Sequence, residues 1–147
     1  MKSLITSIIT ALRNAITAGD INATTVYKGF QEMPAIIPYT AYPYIAIDDG
    51  GERVEDNSAA ETQTRYYSIV VEMGIQVINQ ETSLDEILDL SDEVKTTLEK
   101  ETNRFLDGHA WGISITPYIE QGADKNFYRG RRVIIDYFKL EDNYGEY

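Results

Sequence analysis

The chain has 147 residues, a length that suits one domain with a core that needs no metal or disulfide. It contains no Cys, which removes disulfides, thiolate metal sites and Cys nucleophiles, and its 24 acidic against 13 basic side chains leave a net charge of -11. Such a chain has no electrostatic reason to grip nucleic acid across its surface. No run approaches the roughly 18 apolar residues of a membrane span, so no membrane association is expected.

Residues 2–18 predict a helix. Leu4, Ile5, Ile8, Ile9, Leu12, Ala15 and Ile16 recur at the spacing of one apolar stripe, with Thr6, Thr10, Arg13 and Thr17 opposite. Ser3 suits an N-cap and Gly19 a residue just past the C-terminus. The segment reads as part of the domain and not as a signal peptide. Residues 24–30 are β-branched and aromatic and predict a short strand. Pro34 and Pro38 make 31–41 an extended connection. Tyr42-Pro43-Tyr44-Ile45-Ala46-Ile47 predicts a second strand, with Pro43 at its opening.

Residues 48–61 read as a polar arm. Asp48-Asp49-Gly50-Gly51-Glu52 is its most loop-like part, and it lacks the spacing of a calcium loop. Residues 62–79 predict one long strand, roughly three times the usual length. Tyr67, Ile69, Val71, Met73, Ile75 and Val77 fall on a dry face, and Tyr66, Ser68, Val70, Glu72, Gly74 and Gln76 on a wetter one. The strand is expected to project past its sheet or to bend at Gly74. Ser83 and Glu86 have capping-box spacing ahead of a second helix, striped by Leu84, Ile87, Leu88, Ser91, Val94 and Leu98 and ending near Asn103. Residues 113–120 predict a strand whose Pro117 argues for an edge or a bulge, and 131–140 a central one. The expectation is an α+β fold: a two-layer sandwich with an antiparallel or mixed sheet of four to five strands, a long projecting hairpin, and two helices on one face.

No catalytic motif emerges. The only His, His109, lies in Gly108-His109-Ala110-Trp111-Gly112, where a turn residue beside Trp111 is the simpler reading than a general base. Nucleotide-binding and zinc motifs are absent, and no cofactor or metal is expected. One charge feature stands out in so acidic a chain: Lys125, Arg129, Arg131 and Arg132 fall within eight positions. They read as either a docking patch for an acidic neighbour or a solvated loop. The first candidate partner for such a patch is the arm of a neighbouring subunit, with Asp48, Asp49, Glu52, Arg53, Glu55 and Asp56.

The run of Val26-Tyr27, the Pro-containing connection, Tyr42-Pro43-Tyr44-Ile45-Ala46-Ile47, the polar arm, Tyr66-Tyr67-Ser68-Ile69-Val70-Val71-Glu72-Met73 and the capped helix with Val94 and Leu98 resembles the tail-completion or tail-terminator proteins of long-tailed bacteriophages. The resemblance spans about residues 2–140. The acidity, the Tyr-rich tail and the basic loop depart from it. It implies a homo-oligomeric, hexameric ring that caps the tail tube, stops its growth and joins it to the neck. The implied partners are the tail tube protein and a neck or head-completion protein, with DNA passing through the bore unheld. The implied location is the virion, after assembly in the host bacterial cytoplasm. Two alternatives stay open: a head-closure or neck connector ring of the same virion, and a small acidic enzyme or binding domain using its Tyr residues and His109.

Overall fold

The N-terminal helix α1 (Lys2–Ala18) buries Leu4, Ile8, Ile9, Leu12 and Ala15 and ends on Gly19, whose φ of 84° is left-handed and whose N–H reaches the carbonyls of Ala15 and Ile16. Its outer threonines return their hydroxyls to carbonyls four residues back, as Thr10 does to Thr6 at 3.0 Å. The expected Ser3 cap is absent, because helical geometry already begins at Lys2 with Met1 before it. The computed structural model describes residues 1–57, 62–100, 103, 110–118 and 128–142. The arm tip at 58–61, the turn at 107–108, His109, Lys125 and the end of the tail at 143–147 lie outside the described residues.

After α1 come β1 (Thr25–Lys28), β2 (Tyr44–Asn57), β3 (Thr62–Gln76), α2 (Ser83–Glu99), β4 (Ala110–Tyr118) and β5 (Tyr128–Asp142). They form an α+β fold around one mixed sheet of order β1-β2-β3-β5-β4. β1 runs parallel to β2, and the other neighbours are antiparallel. The last strand is internal, as its two apolar faces predict. β4, which carries Pro117, is an edge, where a missing N–H costs least.

Alternation along the strands sends Ile45, Ile47, Tyr67, Ile69, Val71, Met73, Val133, Ile135 and Tyr137 into one cluster with Ile8, Leu12, Ile87, Val94 and Leu98 of the helices. The 3.6-residue period of α2 selects Leu90 for this cluster and leaves Leu84 exposed, contrary to the predicted stripe. Ser83 is the first helical residue and not the cap, and its hydroxyl donates to Gln80 at 3.1 Å. The expected Ser83–Glu86 box does not form: the N-cap is Thr82, which makes no side-chain cap hydrogen bond, and its hydroxyl donates instead to Glu86 Oε1 at 3.2 Å.

β2 is the main departure. The polar arm expected from residue 48 onward is strand as far as Asn57, paired with β3 down to Asn57↔Thr62. β5 accompanies β3 on its other side to Thr62↔Asp142, so the distal part has three strands and not two. Between Asp49 and Glu52 the register shifts by one residue. The two glycines build that bulge. Gly51 has φ of 104°, and a Cβ on Gly50 would press on the Ser68 carbonyl.

Candidate functional site

The sheet face away from the helices begins with Tyr44. Residues 29–43 connect the parallel strands β1 and β2, through 3-10 turns at Phe30–Glu32 and Tyr39–Ala41, and pack over this face. Tyr44 is buried there, with its ring edge-on to Tyr27 at 6.0 Å and to Tyr42 at 5.6 Å. Its hydroxyl donates to Glu72 Oε2 at 3.1 Å. Arg132 Nε donates to the other oxygen of Glu72 at 2.8 Å, and its guanidinium lies 4.7 Å over the Phe30 ring. Glu72, expected on the wetter face, is therefore the hub joining β2, β3 and β5; its side chain is 14% exposed. Burial first, and then the Glu72 carboxylate, hold the Tyr44 phenol well above its ordinary range. Partial burial and the neighbouring Tyr128 and Tyr27 also raise Tyr42.

A groove of about 450 Å³ opens beside this hub, lined by residues 33–37 with Tyr39, Tyr42, Glu72, Gln76 and Tyr128. A second, of about 340 Å³, continues from Tyr42 and Gln76 to Ile78, Glu86, Asp89 and Glu93.

The candidate acids have structural work close to the bulge. Asp48 accepts the Phe30 N–H at 2.8 Å and the Asp49 N–H at 2.7 Å, and Asp49 accepts the Gly51 N–H at 2.7 Å. These carboxylates fold the bulge and anchor the connection, so they are not a free docking row. Farther out, Arg53 lies 4.2 Å over the Tyr66 ring and 3.8 Å from Glu55, and Glu52 meets Arg65 at 3.5 Å. Every residue from 49 to 56 is exposed, whichever face it points to. Val54 has the parity of the helix-covered face yet is 43% exposed.

The basic cluster divides across the sheet. Arg129 and Arg131 oppose Ile75 and Met73 on the helix side, and Arg132 opposes Glu72 on the other. Arg129 donates to Ser83 Oγ at 3.1 Å. Four cations close in sequence thus make no single patch, because neighbours in a strand point to opposite faces; Lys125 lies outside the described residues. Among the described residues, no three His, Asp or Glu side chains gather as metal ligands, and no helix is long and apolar enough to cross a membrane.

No family model matches the chain, and no curated protein matches it significantly.

Proposed function

We propose that this chain is a structural virion protein that assembles into a ring, in the manner of the tail terminators its sequence resembles, capping a tail tube and joining it to the neck. The observation that carries the reading is the distal half of β2. It is hydrogen-bonded as strand, yet exposed at every position from 49 to 56. A lone folded domain gains nothing from extending a sheet beyond its core, since both faces there bury little apolar area. An assembling subunit gains a stiff surface for its neighbour.

The outer edge of β2 supports the same reading. β1 covers it only from Tyr44 to Ile47, and no other strand among the described residues lies against it. Such an edge can accept a strand or loop of a second copy, while Glu52, Arg53, Glu55 and Asp56 discourage indiscriminate pairing. Contact between this end of one copy and a different surface of the next is heterologous, the kind of interface that closes into rings.

Sedimentation velocity over a concentration series tests the proposal. A single larger species of fixed size that grows at the expense of monomer is expected. Monomer throughout, up to about 100 μM, would contradict it, since an interface that fails to form there is worth less than about 5.5 kcal/mol.

A further inference from the structure

We propose that the two joined grooves at the Gly74 end of the sheet take up an arginine-bearing, aliphatic segment of a partner protein. This proposal goes beyond ring assembly and does not depend on it.

Four tyrosines, Tyr39, Tyr42, Tyr44 and Tyr128, line the larger groove. Aromatic faces carry the negative pole of the ring quadrupole and attract cations, guanidinium above all. The same sheet face already uses this contact twice within the chain, Arg53 on Tyr66 at 4.2 Å and Arg132 on Phe30 at 4.7 Å. Among the described residues, the charged groups lining the two grooves, Glu72, Glu86, Asp89 and Glu93, are all acidic. Arg132 already neutralises Glu72. Of the other three, Glu86 and Glu93 accept from neutral donors, the Thr82 hydroxyl and the Asn22 N–H. The charge offered to an occupant is therefore negative, and complementarity selects a cation.

Apolar side chains flank this acidic, aromatic floor. Ile36, in the larger groove, is 86% exposed and Ile78, in the smaller, is 88% exposed; Tyr39, in the larger groove with Ile36, is 72% exposed. Large aliphatic groups presented in both grooves beside a polar floor suit a chain segment that alternates aliphatic and basic residues. A second copy of this chain is a poor occupant. Its exposed ribbon carries Glu52, Glu55 and Asp56 against Arg53 and Arg65, so acid would meet acid.

The test is fluorescence anisotropy with a labelled peptide alternating Arg and Val, beside Lys-Val and Glu-Val counterparts. Binding is expected in the order Arg-Val, Lys-Val, Glu-Val. Tyr39→Ala and Asp89→Lys, both at exposed positions, should each weaken Arg-Val binding by about threefold to tenfold. Asp56→Lys makes the same change of net charge on the distant ribbon and should leave binding within about twofold. Equal losses at positions 56 and 89, or no loss on Tyr39→Ala, would overturn the proposal by reducing the binding to general charge attraction. Dissociation of an oligomer by Tyr39→Ala would also overturn it, by making the occupant a second copy.

Discussion

The ring of Tyr44 lies across the backbone of Gly74, its register partner on β3, and fills the space that any side chain at position 74 would need. A Cβ there would collide with Cε1 and Cζ of the ring. The glycine is therefore a packing requirement of the groove. Gly74→Ala should destabilise the fold by about 1–3 kcal/mol in urea denaturation, the range for overpacking a filled site. Tyr44→Ala alone should also destabilise, and the double variant should lose less than the sum of the two. Additive losses would mean that the residues do not compete for one space.

Glu72 is the second test of this face. Glu72→Ala leaves the Tyr44 hydroxyl and the Arg132 guanidinium without their shared acceptor. The expected cost is on the order of 1–3 kcal/mol, at the lower figure for exposed polar groups because Arg132 keeps some access to water. Glu72→Gln should recover part of it. A change under about 0.5 kcal/mol on Glu72→Ala would return the residue to the ordinary surface class.

Alkaline pH should weaken the fold. The folded-state values of Tyr44 and Tyr137 are both raised, the first by burial and then Glu72, the second by burial. A group whose folded value exceeds its unfolded one keeps its proton longer in the native state. Its contribution is complete below the unfolded value near 10 and declines as pH rises above it, by up to about 1.4 kcal/mol per unit for each group. Denaturation at a series of pH values should show a flat region below about pH 9 and a fall above 10. Tyr44→Phe should make that fall shallower.

The core was legible in the sequence where a period runs unbroken. The stripe of α1 places Leu4, Ile8, Ile9, Leu12 and Ala15 in the core and leaves Ile5 and Ile16 half-buried at its margin, and the alternation from Tyr67 to Ile75 is buried throughout, with Ile69 and Val71 under the helices, while Val77 lies half-buried past the end of β3. Ile69→Ala should accordingly cost about 2–5 kcal/mol, while Leu84→Ala, at an exposed helix position, should stay within about 0.5. Legibility stops where pairing decides the structure. Asp48-Asp49-Gly50-Gly51-Glu52 reads as a loop by local preference, and only a partner strand with a one-residue register shift turns it into a bulged strand. The basic cluster misleads for a related reason: its closeness along the chain is undone by alternation across β5. The Tyr44–Glu72–Arg132 hub joins three strands, and no spacing rule connects residues 44, 72 and 132. The alternation did warn that Glu72 and Arg132 lie in strands, and a charged residue inside an otherwise apolar ladder is the signal that could have paired them.

The same placement revises two tests that the sequence suggests. Removing residues 51–60 would delete half of β2 and bare the edge of β3, so loss of assembly there would not separate interface from fold. Charge reversal at Arg129 disturbs its contact with Ser83 at the start of α2, with the same ambiguity.

Single-cysteine labelling avoids both problems, because the chain has no Cys of its own. Val54→Cys places a thiol on the exposed distal strand, and Thr10→Cys places one on the outer face of α1. Both sites are open in the isolated chain, so both should react quickly with a thiol reagent at low protein concentration. The account predicts that raising the concentration until the larger species forms slows labelling at position 54 by about tenfold or more, while position 10 changes little. Equal labelling rates at the two sites in dilute and assembled protein would contradict the claim that the distal part of β2 is where one copy meets the next.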